Sequence, residues 1–306
     1  MKYPIERGLQ CAAKNIPFSP VLCRLSQKLH EKLHRPFAAP EGVMVTTETF
    51  HGFQGLPFEV TVITPEGRMP GSPAILDLHG GAFGYKAAEY QLMYACKYAK
   101  ETGCIVFFPD YHLLPDYPYP AAYEDAMAVY REISVEGNRW GARPDRILVV
   151  GDSAGGALAA GVCNHAEKEG LPAPCFQMLI YPVLDCRMET ESMRNFPDTP
   201  VWNAKNNRKM WELYLKNVPL EQWMEASPMQ NELPMRLPAT YIETTEFDCL
   251  HDEAIAYARR IRPLAKSVTV EQTIGTMHGY DMVTDSPMVR EQVQVRIDAL
   301  KRASRH

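Results

Sequence analysis

The sequence predicts an α/β fold: a mostly parallel central sheet opened by an antiparallel hairpin, with helices on both faces. Three observations carry this expectation. Short apolar runs alternate with helical stretches, the later runs are apolar at nearly every position, and 46% of the 306 residues are hydrophobic. Strands apolar on both faces belong in a sheet covered on two sides, as parallel sheets are. Charged residues at 23% and aromatics at 10% match globular averages, so the chain can bury a sizeable core and is not disordered as a whole.

Along residues 1–42, Leu22, Leu25, Leu29 and Leu33 recur every three or four positions between the breakers Pro17, Pro20, Pro36 and Pro40, which predicts an appended helical arm. Val43 to Phe50 and Phe58 to Thr64 alternate in polarity across a Gly-containing link, His51 to Pro57, and read as a hairpin. The apolar runs Ala74 to Leu78, Cys104 to Phe108, Ile147 to Val150, Phe176 to Tyr181, Ala239 to Glu243 and Val268 to Ile274 supply the remaining strands. Helices are expected at Ala87 to Thr102, Ala121 to Glu136, Ala154 to Glu169, Asp252 to Leu264 and Pro287 to Ala303. Between Asp185 and Leu237 no strand signal appears; the stretch carries Trp202, Trp211, Trp223 and a helical run from Met210 to Leu215, and reads as a lid. The expected organisation is therefore an arm at 1–42, a core at 43–185 and 226–306, and an insertion at 186–225.

The 32 basic and 37 acidic side chains leave a formal charge of −5, which gives no attraction to nucleic acid. Eight cysteines without a CxxC pair read as reduced thiols, and no apolar run is long enough for a membrane span or a signal peptide. The expectation is a soluble cytoplasmic protein with no membrane partner. A homodimer is compatible with the edge strands and the Pro287 to Ala303 helix, although no specific interface signal is present. No HExxH motif and no Cys/His ligand spacing points to a metal, and no cofactor is expected.

The chemistry concentrates at Gly151-Asp152-Ser153-Ala154-Gly155-Gly156, directly after one apolar strand and directly before an alanine-rich helix. This is GxSxG in the strand–turn–helix setting that presents a nucleophilic serine, with glycines where the turn is too crowded for side chains. The alternative is a serine capping a tight turn, which does not require glycines on both sides. A serine hydroxyl needs a base, an acid to orient that base, and donors for an oxyanion. Among nine histidines, His30 and His34 lie in the arm, His165 in a helix and His306 at the end. His278 follows a strand in a loop, at the sheet edge where catalytic groups of open α/β sheets gather, and is the candidate base. Asp248, 30 residues before it, is the candidate acid, with Asp252, Glu246, Asp281 and Asp285 as competitors. Ala154 and the glycine loop His79-Gly80-Gly81-Ala82-Phe83-Gly84 are expected to supply backbone donors, with His79 organising the loop.

With these pieces in place, the sequence resembles the hormone-sensitive-lipase family of α/β-hydrolases, the HGGG group of esterases and lipases. His79 to Gly84 matches the HGGGF pattern, Asp110 to Asp125 the DYRLAPE and PAAxED stretch, and Gly151 to Gly156 the GDSAGG elbow; Glu246 to Glu253 and Met277 to Tyr280 complete the likeness across about residues 43–290. The resemblance implies an α/β-hydrolase fold with a helical cap formed by the arm and part of the insertion. It also implies Ser153 as nucleophile, His278 as base, Asp248 as orienting acid, and Gly80, Gly81 and Ala154 as oxyanion-hole donors. This chain departs at Ala82, where the family has a third glycine; at His112 and Asp116, where it has arginine and glutamate, so an ion pair is expected to weaken; and at Cys249, where it has proline.

The function expected is carboxylic ester hydrolysis through an acyl-enzyme, on small-molecule esters with short- to medium-length acyl groups. The chain-length expectation rests on a modest cap and on the lack of the long exposed apolar helix that interfacial lipases use. Trp202, Trp211 and Phe83 are candidates for lining the pocket or for ordinary packing. The alternatives are an amidase, peptidase or acyltransferase with the same machinery, and a non-catalytic ligand-binding receptor.

Overall fold

A computed structural model describes residues 2–33, 37–69 and 71–305. His34, His306 and the breaker Pro36 lie outside the described residues. One eight-stranded sheet is formed by β1 (Val43–His51), β2 (Pro57–Pro65), β3 (Ser72–Leu78), β4 (Ile105–Pro109), β5 (Ala142–Asp152), β6 (Phe176–Ile180), β7 (Ala239–Phe247) and β8 (Val268–Met277), in the order β1-β2-β4-β3-β5-β6-β7-β8. The expected hairpin is present, with Val43 opposite Pro65 and His51 opposite Pro57. The β2–β4 pair is also antiparallel, and every pairing from β4 onward is parallel.

Two helix layers flank the sheet because each central strand is apolar on both sides. Leu76, Phe107, Val149 and Leu179 face one layer, with α3 (Ala121–Glu136), α4 (Ala154–His165) and α8 (His251–Ile261). Their neighbours Ile75, Val106, Leu148 and Met178 face the other, with α2 (Glu89–Thr102) and α9 (Pro287–Arg305). Period-two alternation sends adjacent residues to opposite cores, and full burial of each such side chain is worth about 1.5–3 kcal/mol. All twelve residues of α4 except its last are buried, as expected of a helix that is apolar all round and sits at the centre.

The remaining helices sit outside this frame. The arm contributes α1 (Pro20–Leu33); the insertion contributes α5 (Glu191–Asn195), α6 (Ala204–Tyr214) and α7 (Trp223–Ala226). Among the contacts that tie arm to insertion are a parallel bridge between Asn15 and Val201 and a hydrogen bond from Asn206 Nδ2 to the Ile16 carbonyl at 2.7 Å.

α1 turns an apolar stripe outward, a facing that the leucine spacing alone does not predict. Val21, Leu25, Leu29 and Leu33 are 72%, 60%, 52% and 63% exposed, while Cys23 is fully buried. Spacing shows that these leucines share a face but not which way the face points, and the small Cys23 packs against Gly84 so closely that the helix is held by its polar side. No described helix is long and apolar enough to cross a membrane.

Candidate active site

The site lies at the carboxyl edge of the sheet, where β5, β7 and β8 end. β5 runs to Asp152, and Ser153 then takes φ 52° and ψ −117° before α4 begins at Ala154. Positive φ is costly for a residue with a Cβ, and strain of this kind persists only where the surroundings impose it. Here they do: a Cβ at Gly151 would lie 2.2 Å from the Gly155 carbonyl oxygen, and one at Gly155 would lie 1.8 Å from that of Leu78. Only glycine fits at either position. The turn is locked by the Ser153 amide donating to Ile180 O at 2.9 Å and by the Ser153 carbonyl accepting from Val183 at 2.9 Å.

Three side chains converge from separate strands. Ser153 Oγ lies 2.8 Å from His278 Nε2, and His278 Nδ1 lies 2.7 Å from Asp248 Oδ2. His278 leaves the end of β8 and is followed by Gly279, whose φ of 65° turns the chain back. Asp248 follows β7; its Oδ1 accepts from the Leu250 amide and its Oδ2 from Thr245 Oγ1, both at 2.9 Å, which fixes the carboxylate plane. Ser153 is 7% exposed and His278 5%. The Tyr181 ring meets the imidazole edge-on at 4.7 Å, and Trp202 lies 6.4 Å away on the insertion side.

The competing carboxylates are engaged elsewhere. Asp252 accepts from the Ser192 amide at 2.7 Å, Glu246 from the Gly275 amide at 2.7 Å, and Asp281 from Arg296 and Tyr181, both at 2.7 Å, while Asp285 is exposed. Cys249, at the family's proline position, is buried, and its carbonyl accepts from Ser192 Oγ at 2.7 Å.

The glycine loop follows β3. His79 stacks on Tyr111 at 4.3 Å and its Nδ1 lies 2.6 Å from the Gly80 carbonyl. Burial pushes the His79 imidazole down to about 4, which keeps it neutral. The Gly80 amide, expected to face an oxyanion, instead donates to Asp152 Oδ1 at 2.8 Å. It is committed to a carboxylate, and Gly80 is corrected from oxyanion donor to anchor of the loop. The loop then reverses: Gly81 takes φ 127°, and its carbonyl accepts from both Gly84 and Tyr85. The amides of Gly81, Ala82 and Ala154 make no such commitment among the described residues.

Sequence reasoning missed a layer of buried charge behind these groups. Asp152 also accepts from Gln91 Nε2, at 2.9 and 3.1 Å. Burial, and then the Asp281 charge, push the Asp152 carboxyl up to about 7 against the hydrogen bonds from Gly80 and Gln91. It lines a small cavity with Asp77, Tyr90, Tyr94, Asp281 and Arg296, in which burial also raises Asp77 well above the usual carboxylate range. Arg296 is 1% exposed and bonds Glu243 through Nε at 2.8 Å and Nη2 at 2.5 Å, and Asp281 through Nη1 at 2.7 Å. Burial alone would raise Glu243, but the Arg296 charge and donors from Arg296, Gln292 and Tyr280 outweigh it and hold the carboxyl below its ordinary value. The available signal was Arg296 itself, an arginine on the apolar stripe of α9 beside Val293, Ile297 and Leu300.

At the family's arginine and glutamate positions the pairing is rerouted. His112 Nδ1 and its own amide both reach Asp125 Oδ2 at 2.7 Å, and Asp116 bonds Arg24 of α1 at 2.5 Å. Among the described residues no group of three or more His, Cys, Asp or Glu is placed to hold a metal ion, and all eight cysteines are unpaired.

Residues 75–282 match the sequence model of the alpha/beta hydrolase fold family. The chain belongs to that family. Esterase LipI of Mycobacterium tuberculosis is 32% identical over 210 residues, which are 68% of this chain and 66% of that protein, so the match spans about two thirds of LipI's length. Carboxylesterase NlhH of the same organism is 28% identical over 258 residues, covering 82% of this chain and 81% of its own. In three dimensions, a bacterial heroin esterase superposes with a TM-score of 0.89 at 30% identity over the full length of both chains. Esterase LipW of Mycobacterium marinum gives 0.88 at 27% identity, over 98% and 96% of the two chains. This alpha/beta hydrolase thus has the eight-stranded, mostly parallel sheet with its antiparallel N-terminal hairpin that the sequence predicts.

Proposed function

We propose that this alpha/beta hydrolase is a serine carboxylic ester hydrolase acting on small-molecule esters through an acyl-enzyme. The observation that carries the reading is the continuous relay from Ser153 Oγ through His278 to Asp248, with contacts of 2.8 and 2.7 Å. Neutral His278 takes the Ser153 proton as Oγ attacks the ester carbonyl, and Asp248 holds the ring in the tautomer whose Nε2 accepts. The oxyanion is stabilised by the amides of Gly81 and Ala154, with that of Ala82 beside them; each such donor is typically worth about 10²–10³ in rate. The imidazolium returns its proton to the leaving alcohol, and water then repeats the sequence on the acyl-enzyme.

The arm at 1–42 and the insertion at 186–225 form a cap over the acyl pocket in this reading. It is supported by Phe18 meeting Trp202 edge-on at 5.8 Å, with Trp202 in turn beside His278. Gly80, held by Asp152, belongs to the scaffold of the site and not to its donors. Short- to medium-chain acyl groups suit a nucleophile enclosed by Trp202 and Tyr181. The acidic chain and its unpaired cysteines support a cytoplasmic enzyme without nucleic-acid partners.

The test is a p-nitrophenyl ester series from acetate to palmitate with wild type and Ser153→Ala, together with labelling by a fluorophosphonate probe. Wild type is expected to label at Ser153 and to cleave acetate and butyrate, and Ser153→Ala to do neither. Failure to label overturns the reading; preference for palmitate overturns its chain-length part; faster cleavage of the matching anilides would make it an amidase.

A further inference from the structure

We propose that the outward face of α1 docks on an anionic lipid–water interface. A helix on a soluble protein turns its apolar stripe to the core and its charges to water. α1 is built the other way round. Its inward side is Cys23, Ser26 and Gln27, with Gln27 Nε2 donating to the carbonyls of Gly84 and Leu114, both at 2.7 Å. Its outward side is Val21, Leu25, Leu29 and Leu33, spaced four residues apart and each more than half exposed. A continuous apolar ridge of this kind in water is a surface waiting for a partner.

Charge selects the partner. α1 carries Arg24, Lys28 and Lys32 against Glu31, a local excess of +2 in a chain whose formal total is −5. Counting residues 1–33, Lys2, Arg7, Lys14, Arg24, Lys28 and Lys32 stand against Glu6 and Glu31, an excess of +4. Arg24 is engaged with Asp116, whereas Lys28 and Lys32 are exposed, pair with no acid among the described residues, and border the leucine ridge. An apolar ridge edged by free lysines is the pattern of helices that lie in the plane of an anionic lipid surface, leucines among the acyl chains and ammonium groups at the headgroups. A second copy of the chain fits worse, since packing one such ridge on another doubles the local positive charge from Lys28 and Lys32. α1 rests on Gly84, at the end of the loop that carries Gly81, so a docked α1 would bear on the loop of the site.

The experiment is co-sedimentation of the full chain with vesicles of phosphatidylcholine alone and of phosphatidylcholine mixed with phosphatidylglycerol, at low and high salt, with size-exclusion light scattering in parallel. Wild type is expected to bind the phosphatidylglycerol vesicles at low salt and to be released by high salt. Leu25→Ser/Leu29→Ser should weaken that partition by at least about tenfold, and Lys28→Glu/Lys32→Glu by about fivefold or more per lysine. Both pairs are exposed, so the melting temperatures should stay near that of wild type. Ser153→Ala should bind as wild type does, which separates this inference from ester hydrolysis. It is overturned if wild type binds neither vesicle, if binding is indifferent to phosphatidylglycerol or to both double variants, or if light scattering shows a dimer that Leu25→Ser/Leu29→Ser dissolves while vesicles are ignored.

Discussion

Replacing Asp152 by Asn should make the protein more stable at alkaline pH and less active at every pH. The native carboxyl sits near pH 7 because burial and then Asp281 disfavour its charge, whereas in the unfolded chain an aspartate titrates near about 3.9. A folded value raised above the unfolded one means that the native state holds the proton more tightly. The corresponding stability is complete below about pH 4 and is lost as pH rises through about 7. At ~1.4 kcal/mol per pH step, the interval amounts to about 4 kcal/mol. Asn does not titrate, so this slope disappears. Against the gain stands hydrogen bonding: Asp152 accepts from Gly80 and from Gln91, while Asn offers a single carbonyl oxygen, at a cost of about 1–2 kcal/mol. By pH 5 wild type has already lost about 1.5 kcal/mol, so the variant should match it there, be less stable only below about pH 4, and be more stable by about 2 kcal/mol at pH 8.5. The released Gly80 amide lets the loop carrying Gly81 drift, and displacement of about an ångström costs up to 10²-fold, so kcat should fall by about 10- to 100-fold with little change in KM. Urea melts from pH 5 to 8.5 and p-nitrophenyl butyrate kinetics read both effects. Parallel stability curves, or an unchanged kcat, would refute the reasoning.

Asp248→Asn should leave the fold intact and lower kcat by about 10⁴, because the amide no longer holds the His278 tautomer that accepts from Ser153; a loss under tenfold would mean another group orients the ring. Gly81→Ala forces a Cβ to 2.6 Å from the Tyr85 carbonyl at φ 127°, so kcat should drop by at least about 10² and stability by about 1–3 kcal/mol, both measurable by kinetics and thermal melts. Arg296→Met strands Glu243 and Asp281 without their cation and should cost about 3–5 kcal/mol in urea unfolding. Because Arg296 holds Glu243 below its ordinary value, that contribution is present above the unfolded glutamate value of about 4.3 and fades as pH falls through the lower folded value. A loss that does not shrink on acidification would show that packing, not charge, is what Arg296 supplies.

Most of the sheet was legible because its central strands are apolar on both faces and need no partner to be recognised. Where polarity and burial part company, the reading stopped short. β7 continues past Glu243 through Thr244, Thr245 and Phe247, and β5 starts at Ala142, ahead of the polar Arg143 to Arg146. The three side chains of the relay were legible because each follows a strand and carries chemistry that packing does not need. Hydrogen-bond direction was not. That Gly80 spends its amide on Asp152 depends on a carboxylate 72 residues away, and the facing of α1 depends on Cys23 and Gln27, which look unremarkable beside four leucines. The buried set of Glu243, Asp281 and Arg296 hid because its pairing joins residues from three separate elements, and only Arg296, on the apolar stripe of α9, hints at it.

The order of the strands also dictates when chemistry can begin during synthesis. The bend holding Ser153 is complete once β5 and β6 have paired, midway along the chain, yet His278, its proposed proton acceptor, leaves the end of β8, an edge strand that among the described residues pairs with β7 alone. A nascent polypeptide still tethered to the ribosome can therefore expose a shaped serine long before anything can activate it. The hydrolase stays silent until His278 and α9 emerge and seat against the sheet, and truncation ahead of Met277 removes the imidazole together with the buried stripe of α9.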